Sequence, residues 1–183
     1  MSHSARIETP RLYLRPPERA DYEPWCAFMA DAEAMRYIGG EAPRAVTWRS
    51  FCGMAGAWSL FGFSMFSVIE KSSGRWIGRL GPWQPEGWPG TEIAWGITRD
   101  AWGKGLAAEG AAAATDWAIA NLGWTEIIHT IHPENARSQK LARRMGSRLL
   151  RQAVLPPPIN ASADVWGQSA EEWQRNRAAF FPS

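Results

Sequence analysis

Thr91-Glu-Ile-Ala-Trp-Gly-Ile-Thr98, Arg99-Asp-Ala-Trp-Gly-Lys-Gly105 and Leu106-Ala-Ala-Glu-Gly-Ala-Ala-Ala-Ala-Thr-Asp-Trp-Ala-Ile-Ala-Asn-Leu122 follow one another without a gap. The first part is apolar and β-branched, as in a buried strand. The second turns on two glycines that flank a lysine. The third reads as a helix, with Leu106, Gly110, Ala113, Trp117 and Ala120 expected as its inner stripe. Gly123 is placed to end that helix in the left-handed conformation. A strand that passes through glycines into a helix N-terminus leaves several backbone N–H groups without acceptors, backed by the positive end of the helix dipole. Such a turn suits a phosphate.

Working outward, Arg11-Leu-Tyr-Leu-Arg15 alternates as a strand and stops at Pro16-Pro17. Asp21 is expected to cap a helix that buries Tyr22, Trp25 and Phe28 or Met29. Thr47 is expected to cap a second helix carrying Trp48, Phe51, Cys52, Ala55 and Trp58. From Phe63 the period becomes two. Phe63 to Lys71 and Arg75 to Trp83 read as a hairpin about Ser72-Ser-Gly74, followed by the loop Pro85-Glu-Gly-Trp-Pro-Gly90. Beyond the central helix, Glu126 to His132 reads as a strand, which makes a strand-helix-strand crossover and so a parallel pair. Asn135 caps a short helix from Ala136 to Met145. Ser147 to Leu155 and Ala163 to Gln168 are the last strands, and Ser169-Ala-Glu-Glu172 is a capping box that opens a terminal helix with Trp173.

A chain of 183 residues that is 45% hydrophobic suffices for one core, and one domain over 1–183 is expected. A formal net charge of +2 with no block of like charge gives no ground for a nucleic-acid partner. The first ten residues hold no apolar signal run, and no stretch approaches about 18 apolar residues, so neither secretion nor a membrane span is expected and the cytoplasm is the expected location. Cys26 and Cys52 are expected as buried free thiols, and the histidines at 3, 129 and 132 are too scattered for a metal site. The 12 tryptophans are spread along the chain, where core and pocket wall are both open uses.

Gly103-Lys-Gly105-Leu-Ala-Ala108 satisfies the G-x-G-x-x-G/A dinucleotide pattern, which would make the chain a nicotinamide-dependent enzyme. The order of elements argues otherwise, because an antiparallel hairpin precedes the turn and only one crossover follows it. A Walker loop is excluded, since Lys104 is followed by glycine. Asp100-Ala-Trp-Gly-Lys-Gly-Leu-Ala-Ala-Glu109, with Asn135-Ala-Arg-Ser-Gln-Lys-Leu-Ala-Arg-Arg-Met-Gly146 further along, closely resembles the GNAT superfamily of acetyltransferases. Thr9-Pro-Arg-Leu-Tyr-Leu-Arg15 and Asp164-Val-Trp-Gly-Gln-Ser-Ala-Glu-Glu-Trp173 look like its RimJ/RimL branch, which acetylates ribosomal-protein N-termini. The resemblance implies a mixed α/β fold. Its central, mostly antiparallel twisted sheet would have about six to seven strands, one parallel crossover, and helices on both faces.

The resemblance further implies acetyl-CoA as cosubstrate, with its pyrophosphate on the amides of Trp102, Gly103, Lys104, Gly105, Leu106 and Ala107. Asn135 and Ser138 would meet the cofactor, although each also suits a plain helix cap. Lys140 would face the cofactor's phosphate or stand as a solvated charge. A backbone N–H near Trp95 to Ile97, where Gly96 allows a bulge, would polarise the thioester carbonyl. Glu92 is the candidate general base, acting directly or through water, and the alternative is a strand-end carboxylate paired with an arginine. The superfamily's thiolate-protonating tyrosine is replaced by Ala142, so Tyr37, a water or no dedicated acid serves that step. Trp83 and Trp88 are expected at the acceptor pocket. The acceptor would be a small-molecule amine or a protein N-terminus, and the only further partner allowed is a second copy in a homodimer. The missing tyrosine leaves a non-catalytic CoA-binding sensor as the rival reading.

Overall fold

The computed structural model describes residues 5–180, so His3 and the outermost ends of the domain expected over 1–183 lie outside the described residues. Eight strands form one sheet: β1 (Ile7–Glu8), β2 (Leu12–Arg15), β3 (Phe66–Glu70), β4 (Trp76–Trp83), β5 (Glu92–Ile97), β6 (Glu126–Ile131), β7 (Arg148–Val154) and β8 (Ser162–Ser169). Their order is β1-β2-β3-β4-β5-β6-β8-β7. Every neighbouring pair is antiparallel except β5–β6. This is the expected mixed sheet with one crossover, widened by the two-residue β1. A doubly wound dinucleotide domain is built on successive parallel strands, and a single parallel pair removes that reading of the glycine turn.

Six helices cover the sheet: α1 (Tyr22–Met29), α2 (Ala32–Met35), α3 (Arg44–Phe61), α4 (Leu106–Leu122), α5 (Ala136–Arg144) and α6 (Ala170–Phe180). Trp25, Phe28, Met29 and Met35 join Phe51, Met54, Met65 and Trp76 in one core. On the other face the alanines of α4 lie on Leu12, Leu14, Phe66, Leu80, Ile93 and Ile127. Helix α3 spans both, since its Trp58 packs on Phe66 and Trp117 at ring distances of 4.8 and 5.8 Å. The contact between α4 and the sheet is close. A Cβ added at Gly110 would stand 2.6 Å from Leu80 Cδ2.

Several local expectations are corrected. The stripe on α4 is broader than a single amphipathic face: Leu106, Ala108, Glu109, Gly110, Ala111, Ala112, Ala114, Thr115 and Ala118 are buried, while Ala113 and Trp117 are half-buried and Ala120 is exposed. Small side chains let neighbouring elements close on the helix from more than one side. Asp21 stands at the N-cap position of α1, but its side chain makes no cap bond. Its carboxylate takes two bonds from Arg15, at 2.7 and 2.8 Å, and one from Ser67. Thr47 is buried inside the first turn of α3, whose N-cap is Pro43, because the helix begins where Pro43 supplies the extended entry. Cys26 is buried as expected but Cys52 is exposed. The capping box at Ser169 and Glu172 is present, with bonds of 2.7 and 3.1 Å.

One tie fixes the glycine turn to the sheet. Glu109, in the first turn of α4, is 5% exposed. Its Oε1 accepts from Thr9 Oγ1 at 2.6 Å and Arg11 N at 2.8 Å, and its Oε2 accepts from Arg11 Nε at 2.6 Å. Arg11 then donates through Nη1 to the carbonyl of Lys104 at 2.8 Å, between the two glycines. Burial would raise the Glu109 carboxyl, but the bonds from Thr9 and Arg11 outweigh it and hold the group below the ordinary carboxylate value. A depressed folded pKa gives stability that is present above the unfolded value and lost as pH falls through the folded one. Glu109→Ala is therefore expected to cost about 2 kcal/mol at pH 7, roughly 4–8 °C in Tm. The gap from the unmodified protein should narrow as the pH drops below about 4, which thermal melts across pH 3 to 7 will check.

Candidate active site

Gly103 and Gly105 have φ of +75° and +76°, in the left-handed region, where a β-carbon is disfavoured. The first intrahelical bond of α4 runs from Glu109 N to Gly105 O at 3.1 Å, and Gly105 offers no side-chain cap. The N–H groups of Leu106, Ala107 and Ala108 consequently have no helical acceptor. A Cβ built at Gly103 would meet nothing within 4 Å, so the space beside that glycine is open. Free donors, a helix dipole and open space together fit a pyrophosphate.

Beside the turn the two parallel strands part. Their only register pair is Glu92 with Ile128, preceded by the bond from Ile128 N to Thr91 O at 3.0 Å. Past that point side chains replace the ladder. Glu92 Oε1 accepts from Thr130 N at 2.8 Å, and the Thr130 hydroxyl lies 3.0 and 2.9 Å from its two oxygens. His129 Nδ1 stands 2.8 Å from Ile93 O. A carbonyl only accepts, so Nδ1 carries the proton and Nε2 is a bare acceptor, buried and without a partner.

The edge of β5 is open beyond this gap. Thr98 N bonds to Ile77 O on β4, and the pleat alternates, so the odd-numbered amides, Trp95 and Ile97 among them, face β6. The bulge expected at Gly96 is absent, because β4 and β5 pair in unbroken register from Glu92 to Ile97. Gly96 makes room instead: a Cβ there would come within 3.1 Å of Phe28 and 3.2 Å of Ile38. The parting of the strands leaves these amides outside the β5–β6 ladder.

Glu92 is 3% exposed and is tied to the loop by Trp88 Nε1, which donates to Oε2. Burial drives its carboxyl up to about 7, against the opposing pull of Thr130 and Trp88. A carboxyl poised there takes and returns protons at neutral pH, and its roughly four lone-pair sites are not all filled by these donors. Burial likewise holds His129 neutral, with its pKa down at about 4.

The other candidates lie on the elements around these two features. Trp83 packs edge-on against Trp88 at 6.2 Å, so both stand beside Glu92. Tyr37 stacks on His132 at 5.1 Å, two residues past Thr130. On the α4 side, Trp95 Nε1 donates to Ser138 Oγ at 3.2 Å, and Asn135 Oδ1 accepts from Ser138 N at 3.1 Å as a helix cap. Trp102 Nε1 donates to Ile97 O at 2.9 Å, and Arg137 of α5 lies 4.1 Å over its ring. Lys140 is exposed on α5. Ala142 is fully buried in a cluster with Ile131 and Trp166, against which Trp95 packs.

Sequence reasoning did not find Thr130 or His129, which are ordinary members of a strand until the strands part. It also passed over Arg79, although an arginine inside Trp76-Ile-Gly-Arg-Leu-Gly-Pro-Trp83 is a visible break in an apolar run.

The chain matches the family described as Acetyltransferase (GNAT) domain over residues 11–148. Among solved structures it is similar to the acetyltransferase from Agrobacterium tumefaciens str. C58. Identity is 29%, 89% of this chain and 93% of that one are covered, and the TM-score is 0.79. It shares its fold with Mycobacterium smegmatis RimJ in complex with CoA-disulfide, at 19% identity, coverage of 92% and 88%, and a TM-score of 0.68. It shares it also with RimL, a ribosomal L7/L12 alpha-N-protein acetyltransferase, at 12% identity, coverage of 90% and 93%, and a TM-score of 0.73. No curated protein matches it significantly.

The Glu92 carboxyl has a raised folded pKa, so its contribution to stability is full below the unfolded value near 4 and is lost as pH rises through about 7. Glu92→Gln removes the titration. Its Tm is expected to stay level between pH 5 and 8 relative to the unmodified protein, whose Tm declines over that range. Parallel melts of the two proteins decide it.

Proposed function

The chain belongs to the GNAT acetyltransferase family and is an acyltransferase, and from that premise we propose that it moves an acetyl group from acetyl-CoA directly to a primary amine in the cytoplasm. The observation that carries the reading is the open two-glycine turn beside the parted strands β5 and β6. Acetyl-CoA supplies the activated acyl thioester. Its pyrophosphate is assigned to the amides of Trp102, Gly103, Lys104, Gly105, Leu106 and Ala107, with Asn135, Ser138 and Lys140 alongside.

The amides of Trp95 and Ile97 polarise the carbonyl, since fixed N–H dipoles in a dry site stabilise a developing oxyanion. Glu92 accepts the proton that the amine must shed, directly or through the Thr130 hydroxyl that touches it. Tyr37 supplies the proton to the departing thiolate. Trp83 and Trp88 wall the acceptor side. The acceptor is a small-molecule amine or a protein N-terminus, the latter being the kind of substrate named for RimL.

Acetyl-CoA at about a hundred times its Kd is expected to add roughly 2.7 kcal/mol, raising Tm by about 5–10 °C, while NAD leaves it unchanged. Gly103→Ala places an L-residue at φ +75°, costing about 1–2 kcal/mol, and sets a methyl in the open space beside the turn. It is expected to weaken acetyl-CoA at least tenfold by titration calorimetry while the circular dichroism spectrum is kept. A shift with NAD and none with acetyl-CoA would overturn the reading.

A further inference from the structure

Arg79 sits on β4, in cross-strand register with Gly96 of β5 and with Ser67 of β3. It lies on the face where α1 and α2 cover the sheet, as does Glu92, and only 9% of its surface is exposed. Its contacts are all neutral. Nη1 donates to Met65 Sδ at 3.0 Å, and the guanidinium lies 5.7 Å from the Trp25 ring. Nε has no partner. Among the described residues, no carboxylate pairs with it. The two acids nearest in register terms are taken. Asp21, which reaches this face through Ser67, is matched by both terminal nitrogens of Arg15, and Glu92 is held by Thr130 and Trp88.

A buried charge without a counter-charge is expensive. Burial draws the guanidinium down to about 10, which still leaves it cationic at neutral pH. The surroundings add no negative charge. Trp25 Nε1 and Ser64 Oγ, the latter next in sequence to Met65, are buried and also unpartnered. A buried cation with an unpartnered Nε and no counter-charge, on the strand that pairs with β5, is the arrangement an anion completes. One planar, singly charged fork matches a carboxylate; a phosphate dianion calls for more positive charge than is present.

Resting on the acetyl-transfer reading, we propose that Arg79 is the receptor for a carboxylate on the acceptor, so that the substrate is an amine that also bears an acid group. Polyamines and aminoglycosides, which bring only cations, are disfavoured by the same charge. Arg79 binds the acceptor and takes no part in the proton transfers.

The test uses the full chain, with Arg79→Met and Arg79→Lys. Matched acceptors differing only in charge are compared with thiol-release detection: β-alanine against β-alaninamide, γ-aminobutyrate against its amide, and Ala-Glu against Ala-Gln, both with an amidated C-terminus. At least one acid is expected to be favoured tenfold or more in kcat/KM, through KM. Arg79→Met should erase that preference and Arg79→Lys retain part of it. Independently of turnover, acetate or glutarate at constant ionic strength should raise the Tm of the unmodified protein and not that of Arg79→Met. Without added anion, Arg79→Met should be at least as stable, because it removes an unpaired buried charge. Equal acid and amide kinetics in the unmodified protein and Arg79→Met would overturn the assignment, as would equal anion shifts. So would an Arg79→Met protein that is merely less stable with its acid preference intact. If acetyl-CoA neither binds nor turns over, the acetyl-transfer reading fails, and the anion melts alone decide Arg79.

Discussion

Two strands that start as a parallel pair and then separate are the constraint on which the rest of this molecule depends. β5 and β6 share one register position, Glu92 with Ile128. After it, the backbone groups that a continuing ladder would consume have to be satisfied otherwise, since buried N–H and C=O groups do not go unpaired without cost. The Glu92 carboxylate takes Thr130 N, and His129 takes Ile93 O. These side chains hold the gap open on two levels and keep the amide edge of β5 available beside it. A sheet that opened here without them would leave those backbone groups unpaired.

The glycine turn depends on a second arrangement, built by residues remote in sequence. Glu109 binds Thr9 and Arg11, and Arg11 reaches on to the Lys104 carbonyl. A carboxylate near a helix N-terminus would ordinarily compete with an incoming phosphate for the dipole. Here its charge is matched by Arg11, so the amides of the turn stay free for another anion. The same tie places the start of α4 over β2, where Gly110 and the buried alanines let the helix settle close to the sheet.

Burial sorts the ionisable groups on either side of the gap. Glu92 is raised to about 7 and His129 lowered to about 4, both chiefly by desolvation. A carboxyl that exchanges protons near neutrality, next to an imidazole that stays neutral, gives the centre one titrating group instead of a coupled pair. Arg79, on the same face as Glu92, is the cation that burial has left without a partner. This face of the sheet thus carries one adjustable proton site and one fixed positive charge, at separate places along β4 and β5.

By itself the sequence determined the element types and their order, the single crossover, the glycine turn, the left-handed stop at Gly123, the cap at Asn135 and the capping box at Ser169, because each rests on local periodicity or on a backbone preference of one residue type. It also carried the family, since the turn and the Asn135 segment occur in the right order on the right elements. Only the tertiary structure decided that Thr130 binds Glu92, that His129 sits in the gap, that Glu109 and Arg11 clasp the turn, that the Asp21 carboxylate turns to Arg15 and Ser67 and not to the helix it precedes, and that Thr47 is not a cap. It likewise set Cys52 at the surface and spread burial around α4. Each of these depends on partners some 38, 36 or 98 positions away, or on which sides of a helix meet other elements. Where two strands stop pairing is settled by the packing of the helices above and below them, and no local pattern in either strand encodes it.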